Sequence, residues 1–341
     1  MTPVLKFIAN QDQKPIRIDK FLMQLIPNIS RNQIQKATRS GKILVNQHII
    51  KKNNYLIKPF DLVIVEKTIT NSSIFLDSSF FLENITEEKI PLNIIHEDED
   101  LLVINKPAGI VVHPGFGHEK GTLIHGIKYH LKNFSNQKKF PPRLGLIHRI
   151  DKDTSGLLLI AKNEYSQKWL LKQFFYKTIY KKYIALVWGD LQKKEGSITG
   201  FIGRDPKNRK RRILFKNPSK GKYSITHYKV VEKFQYITYI SCFIKTGKTH
   251  QIRAHFKYLG HPLFNDSTYG GNKIFMKKKL SKKNIEFFNM CLKILQRQAL
   301  HAICLSFIHP NHKKCHFTCP IPEDFQNVLQ KCKNQFSIKK N

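Results

Sequence analysis

The densest run of groups able to do chemistry is His148 to Gly156, H-R-I-D-K-D-T-S-G, bounded by the apolar stretches LGLI and LLLIAK. A polar loop delivered by buried strands is a common seat of function. Its carboxylates, Asp151 and Asp153, are of the type that serves as nucleophile or general base. An isolated aspartate beside an Arg149 more often caps a turn or pairs with its neighbour, so the motif by itself leaves both roles open. A second cluster, K-T-G-K-T-H-Q-I-R-A-H from Lys245 to His255, closes a strand-like segment with basic and hydrogen-bonding groups. It reads either as a solvated basic turn or as an anion site in which Arg253 or Lys248 faces a phosphate or a carboxylate, with Thr249 and Gln251 fixing the geometry.

Other chemistries are poorly supported. The chain has no G-x-x-x-x-G-K-[ST], no G-x-G-x-x-G after a strand, no H-E-x-x-H and no G-x-S-x-G, which are the signatures of nucleotide, metal and acyl-transfer sites. His309, His312, Cys315, His316 and Cys319 crowd together, but their spacings fit no standard zinc motif, and no metal is expected.

The elements that must position these groups fall into two parts. Residues 17 to 26, RIDKFLMQLI, carry apolar groups at helical spacing, with Pro27 ending the run. Ser30 is a candidate N-cap for RNQIQKATRS and Gly41 a candidate residue just past its end; KILVN then reads as a strand, NQH as a turn and DLVIVE as a second strand. The exposed positions of this unit are basic: Arg17, Lys20, Arg31, Lys36, Arg39 and Lys42. Residues 67 to 90, rich in Thr, Ser, Asn and Glu, read as a linker. From Pro91 short apolar runs such as LLVIN, LLLIA, YIALVWG and ITYISCFI alternate with turns, which predicts a β-rich α+β domain over 91–325. A helix is expected over 163–176, capped by Asn163, with Trp169, Leu170 and Phe174, and Tyr165 beside them, on its apolar face. Residues 326–341 read as a basic C-terminal tail.

The composition constrains the partner. With 59 Lys+Arg against 24 Asp+Glu in 341 residues, the formal net charge is +35, which points to a polyanion and most simply to nucleic acid. The stretch Arg204, Lys207, Arg209, Lys210, Arg211, Arg212 lies between two strand-like segments and reads as a projecting basic hairpin suited to gripping RNA. No secretory signal is readable and no apolar run nears the ~20 residues that cross a bilayer. A soluble, cytoplasmic protein with reduced thiols and no membrane association is expected.

Several ordered motifs turn these observations into a family resemblance. HRIDKDTSGLLLIAK, with NKPAGIVVHPG before it and KTGKTHQIRAH, HPLFNDSTYGG and RQALHA after it, resembles the RluA-type pseudouridine synthases over residues 91 to 322. Residues 15 to 66 resemble the S4 RNA-binding domain, and the combination is closest to the D type of the synthases that act on large-subunit ribosomal RNA. The resemblance implies a mixed, mainly antiparallel sheet with flanking helices and loops beside a small α/β S4-like domain. It implies Asp151 as the catalytic carboxylate, Tyr183 packed against the target base, Ile252 lining the uracil pocket, Arg253 paired with Asp151, and Arg149 and Thr154 flanking the loop. Lys248 matches a position that is usually Arg, Phe60 one that is usually Gly, and Asn265 one that is often Gly. No cofactor is implied, since the isomerisation changes no atoms. The expected partner is RNA, either 23S ribosomal RNA or a large-subunit precursor, bound by a monomer. Two other classes compete. A non-catalytic ribosome assembly factor would be equally basic but has no use for Asp151 beside Arg253, and a glycoside hydrolase typically needs two carboxylates and no RNA-sized basic surface.

Overall fold

The computed structural model describes residues 4–26, 29, 31–66, 85–115, 117–134, 140–208, 210–274 and 280–336, and the chain divides into two units, Met1–Phe80 and Phe81–Asn341. In the first, β1 (Val4–Ile8) pairs with β6 (Leu62–Glu66), and β6 with β3 (Ile43–Val45), which pairs in turn with β4 (His48–Ile49). A two-stranded ribbon of β2 (Ile16–Arg17) and β5 (Leu56–Ile57) flanks two helices, α1 (Ile18–Leu25) and α2 (Arg31–Arg39). Ile18, Phe21, Leu22, Ile34 and Ala37 close on Ile43, Val45, Val63 and Val65. The unit therefore begins before residue 15, because the edge of β6 is covered by VLKFI in an antiparallel ladder. The expected cap at Ser30 lies outside the described residues. The tight hairpin at Asn46 and Gln47 takes φ of 51° and 68° at its two central positions, as such turns require.

Phe60 is a local exception with a physical reason. Its φ is 65°, which costs an L-residue with a side chain roughly 1–2 kcal/mol. The turn is held regardless: Phe60 N donates to Ala9 O at 3.0 Å, and the Asp61 carboxylate accepts from Lys58 N and Asn46 Nδ2, both at 2.8 Å. The Phe60 ring lies in solvent.

The second unit is built on one ten-stranded sheet. Its strands are β7 (Ile94–Glu97), β8 (Leu101–Lys106), β9 (Ser155–Ala161), β10 (Tyr180–Trp188), β11 (Glu195–Arg204), β12 (Arg212–Phe215), β13 (Lys222–Phe234), β14 (Ile237–Ile244), β15 (Leu300–Ile308) and β16 (Lys314–Thr318). The order is β12-β11-β13-β14-β10-β15-β9-β8-β7, with β16 paired to β15. Every pairing is antiparallel except β9 with β15. That parallel junction needs a glycine: Gly156 sits at φ 115°, and a Cβ there would lie 2.3 Å from Ala302 O. The helix α3 (Leu123–Phe134) covers Leu102, Ile104, Leu158 and Ile160, while α4 (Glu164–Tyr176), capped by Asn163 accepting from Ser166 N at 2.8 Å, covers Leu157 and Leu159. Trp169, Leu170 and Phe174 pack as expected, whereas Tyr165 is exposed.

Among the described residues this unit has three further α-helices: α5 (Gln251–Tyr258), α6 (Lys282–Ile294) and α7 (Glu323–Phe336). Two sequence expectations are corrected here. Residues 326–336 are not a tail: α7 buries Phe325, Val328, Leu329 and Cys332 at i, i+3, i+4 and i+7, a helical stripe masked in the sequence by the lysines and amides between them. Nor is residue 90 the end of a linker, since Ile85 is buried with Leu123, Ile127 and Leu131.

One ion cluster in the first unit is directly testable. Asp19, fully buried in α1, accepts from Arg17 Nη2 at 2.9 Å, Arg31 Nε at 2.8 Å and Gln35 Nε2 at 3.0 Å, and so ties α1 to α2. Burial pushes its carboxyl up, but these donors outweigh it and hold the group at about 2, below its ordinary 3.8. A depressed folded-state value means the stabilisation is complete above pH about 4 and is lost as the pH falls towards 2. Asp19→Asn is expected to weaken protection of the α1 and α2 amides by about 2 kcal/mol at pH 7, measured by hydrogen exchange, and to remove the acid-side slope expected of the wild type.

Candidate active site

The segment between the start of β9 and the strand-like run before it delivers Asp151 on a tight turn, in which Thr154 N donates to Asp151 O at 3.1 Å. The turn is held from behind by groups far away in sequence. Lys106, at the end of β8 and fully buried, donates to Pro107 O, Ile110 O and Lys152 O at 2.7, 3.0 and 2.9 Å, using all three of its N–H groups. Burial pulls that ammonium down to about 7, with Asp153 opposing the fall. Arg297 forks onto Asp324 at 2.7 and 2.9 Å and reaches Asp153 O at 3.2 Å, Gln298 donates to Thr154 Oγ1 at 3.2 Å, and His301 Nδ1 meets Ser155 Oγ at 2.9 Å. The R-Q-A-L-H run thus serves as the back wall of the D-K-D-T-S loop. His148 faces away from the cleft: its Nε2 accepts from Leu159 N, its ring stacks on Phe174, and burial keeps it neutral at about 3.

Arg253 supplies the opposing charge. Its Nη1 donates to Asp151 Oδ2 at 2.8 Å, while Nε and Nη2 fork onto the fully buried Asp266 at 2.7 and 2.9 Å. Burial opposes its charge, but Asp266 and then Asp151 more than compensate and hold it above the ordinary arginine value. Arg253 lies in the first turn of α5, not at the end of a strand. A cation there is opposed by the helix dipole, which the two carboxylates offset. Asp266 in turn accepts from Thr268 N and Tyr269 N at 3.1 and 3.2 Å. The Tyr269 ring lies 5.2 Å from the Arg253 guanidinium, and its hydroxyl both accepts from Arg212 N at 2.9 Å and donates to Arg212 O at 3.0 Å. His250, with φ of 55° at the head of α5, approaches Tyr269 Oη at 3.2 Å and Asp151 Oδ2 at 3.8 Å, and burial lowers its ring below the ordinary value, so it is neutral at pH 7.

Asp151, His250 and Arg253 line a cavity of about 130 Å³ together with Arg149, Ile150, Thr154, Tyr183, Ile244, Gln251, Ile252 and Leu300. That is room for roughly four waters at ~30 Å³ each, the scale of one pyrimidine ring. Ile252 and Leu300 form apolar walls, and Tyr183 on β10 is buried. Burial, then the charge of Asp151, raise the Tyr183 hydroxyl above its ordinary value, so it remains a neutral phenol. Gln251 fixes the approach to α5 through Thr246 Oγ1 at 2.8 Å, Ile225 O at 2.9 Å and Lys248 N at 3.1 Å. Asn265 has a reason to stand where Gly often does: at φ 54° its side-chain amide donates to Leu292 O and Leu295 O, capping the end of α6.

All six residues expected at the catalytic centre, Arg149, Asp151, Thr154, Tyr183, Ile252 and Arg253, line this one cavity, as does Lys248. His250, Asp266, Tyr269 and Lys106 were not singled out by sequence. Each lies in a recognised motif, but types and spacing do not show which atoms meet. The residues expected to touch RNA are more scattered. Arg17 and Arg31 engage Asp19, and Lys42 sits 3.8 Å from Glu66. Lys20, Lys36 and Arg39 are on the surface of the first unit. Arg204, Lys207, Lys210, Arg211 and Arg212 form the β11–β12 hairpin, with Arg209 outside the described residues. Among the described residues no cluster of three or more His, Cys, Asp or Glu could hold a metal ion, and no helix is long and apolar enough to cross a membrane.

Comparison with known proteins identifies the arrangement. Residues 100–258 match the RNA pseudouridylate synthase family and residues 16–63 the S4 domain. The chain is 39% identical over 94% of its length to an uncharacterised RNA pseudouridine synthase of Bacillus subtilis, covering 96% of it. It is 38% identical over 92% of its length to ribosomal large subunit pseudouridine synthase D of Buchnera aphidicola, covering 94% of that protein. In fold it resembles human RNA pseudouridylate synthase domain containing 4, at a TM-score of 0.57 and 20% identity over 75% of this chain and 95% of that one. With Asp151 and Arg253 paired in the wall of this cavity, the buried Asp266 holding Arg253, and an S4 domain earlier in the sequence, the chain belongs to the RNA pseudouridine synthase family, enzymes that isomerise uridine in RNA to pseudouridine.

Proposed function

We propose that this chain isomerises uridines in a stem-loop of 23S ribosomal RNA, acting in the cytoplasm as a monomer, with the Asp151 carboxylate as the reacting group. The observation that carries this reading is Arg253, whose guanidinium is forked onto the buried Asp266 and pairs with the partly exposed Asp151 in the wall of a cavity sized for one base. The substrate assignment rests on the relatives named for the large ribosomal subunit.

The reaction breaks the N1–C1′ bond, forms C5–C1′, releases the C5 proton and leaves a proton on N1. A carboxylate next to the base can serve it by attacking the sugar at C1′, by attacking the base at C6, or by removing the C2′ proton, and each role needs the ionised, oriented group. Arg253 supplies the orientation, because a guanidinium clamped through Nε and Nη2 by a second carboxylate holds its Nη1 in one place, directed at Asp151. The uridine must leave its stack to reach the cavity, at a cost of a few kcal/mol. A neutral Tyr183 ring offers a stacking face that offsets ~1–3 kcal/mol of this.

Asp151→Asn retains shape without carboxylate reactivity and is expected to abolish pseudouridine formation, with RNA binding kept within a few-fold. Pseudouridine mapping of cellular RNA from strains with and without the protein, and with the Asn variant, reads both the target and the residue. Full activity in the Asn variant, with deamidation excluded by mass spectrometry, would remove Asp151 from the chemistry.

Arg253→Lys keeps a charge but loses the fork, so single-turnover rates at saturating enzyme should fall by about 10²-fold with RNA affinity unchanged. Arg253→Leu should be nearly inactive and also less stable, because it strands the buried Asp266. Asp266→Asn should resemble Arg253→Lys. A loss of affinity with wild-type single-turnover rates would instead make Arg253 a phosphate contact.

Removing residues 1–67 should weaken RNA binding most at low salt, reducing the salt slope by roughly 0.7–0.9 for each phosphate the S4 unit no longer neutralises, while slow turnover persists on saturating RNA. An unchanged slope would mean that the S4 unit does not touch the phosphate backbone.

A further inference from the structure

Beside the catalytic cavity lies a second cleft, of about 490 Å³, which shares Gly247, Lys248 and Thr249 with it as a common wall. The opposite wall is set by strand register. Arg204 on β11 is directly opposite Arg212 on β12, and Ile202, two residues earlier on β11, is directly opposite Lys222 on β13. Opposed residues of an antiparallel pair, and residues two apart on one strand, share a face. Arg204, Arg212 and Lys222 therefore present three cations on one side of the sheet, and Lys248 completes the ring from across the cleft.

Among the described residues no acidic one lines this space. None of the four cations has an ion pair among the described residues, in a chain where Arg17, Arg31, Arg253 and Arg297 all do. Arg212 Nη1 is buried without a hydrogen-bond partner, and a buried donor left unsatisfied is costly. Like charges directly across a strand pair, as at Arg204 and Arg212, also cost stability. Lys248 is lowered from its ordinary value by burial and then by the charges of Lys222 and Lys177. Together these features are those of a cation ring suited to an anion. The cleft is also fastened to the catalytic pair, because the Tyr269 hydroxyl holds the Arg212 backbone while its ring lies against Arg253.

We propose that the cleft between Arg204, Arg212, Lys222 and Lys248 is a subsite for a single backbone phosphate of the RNA strand next to the target uridine. This rests on the reading of the substrate as RNA. Bound there, one phosphate satisfies Arg212 Nη1, neutralises part of the ring and fixes the strand a short step from the cavity that receives the base.

The test uses the full chain and a single-stranded decauridylate, with affinity measured by fluorescence anisotropy across a salt series. Lys222→Gln and Arg212→Gln are each expected to weaken binding by about tenfold and to lower the salt slope by about 0.7. Because both groups hold the same phosphate, the double variant should lose distinctly less than the product of the two single losses. Lys313→Gln, an exposed lysine on the turn between β15 and β16, serves as a charge-matched control and should have little effect. If the two losses multiply, or if Lys313→Gln equals Lys222→Gln, the cations form a diffuse field and the discrete subsite is wrong. Binding is read independently of pseudouridine formation. A coupled loss together with empty pseudouridine maps would keep the subsite and reject the catalytic reading, and the reverse pair of results would do the opposite.

Discussion

The structure of the catalytic unit depends on one shared guanidinium. Arg253 is nearly buried, sits where the dipole of α5 disfavours it, and is charged because two carboxylates compete for it. A buried ion pair is seldom a net source of stability, since desolvation consumes most of the Coulombic gain. Its value here is geometric. Asp266 takes the planar fork on one edge while Nη1 is directed at Asp151, so the Asp151 carboxylate is aimed without being enclosed. The cost of burying Asp266 is offset by two backbone N–H donors and by the Tyr269 ring against the guanidinium.

That pair meets only if two distant segments are held in register, and the sheet does this at its one parallel junction. The Asp151 turn enters β9, Gly156 lies against Ala302 of β15, and the residues just before β15 hold the back of the same turn through Arg297 and Gln298. Lys106 fastens it from β8 through a main-chain carbonyl. Contacts to backbone oxygens constrain the path of the loop and place no demand on the side chains of Lys152 and Asp153, which remain open to other uses. The path of the loop is thus fixed where Asp151 needs it, through the backbone of the two residues that follow.

How much of this could be read from sequence follows from which interactions are local. The α4 helix with its Asn163 cap, the S4-like hairpin turn and the Asp151 motif were legible because periodicity, turn chemistry and motif order are properties of neighbouring residues. Arg253 was assigned to its partner through family resemblance, yet its element was misread: after the apolar β14 the polar T-G-K-T-H-Q run hides a helix whose first turn carries a cation. Asp266, Tyr269 and His250 stood in quoted motifs without roles, because the contacts that give them meaning are distant in sequence, 13 residues for Asp266 with Arg253, 57 for Tyr269 with Arg212, and further still for His250 with Asp151. The C-terminal helix was missed for a different reason. Four apolar residues at heptad-like spacing suffice for α7 once Trp188, Phe264 and Phe288 offer a surface, and a composition dominated by Lys, Asn and Gln conceals so sparse a stripe.

The charge imbalance gives these details a common logic. With 24 acidic residues against 59 basic ones, most cations have no acid to meet, and several of the acids sit at the centres of clusters. Asp19 gathers Arg17 and Arg31, Glu97 gathers His130 and Lys162, Asp98 gathers His96 and His309, and Asp266 with Asp151 divides Arg253. Each such cluster joins segments that are separate in sequence, so acids act as fasteners of the fold. A basic residue beside one of them is accounted for by stability. A basic residue that is partly buried, faces other cations and lacks an acid is not, because desolvation and repulsion both work against it. In a chain whose surface lysines are too numerous to be informative, that distinction separates cations that serve solubility and fold from those arranged for a polyanion, and it singles out the walls of the cleft next to Asp151.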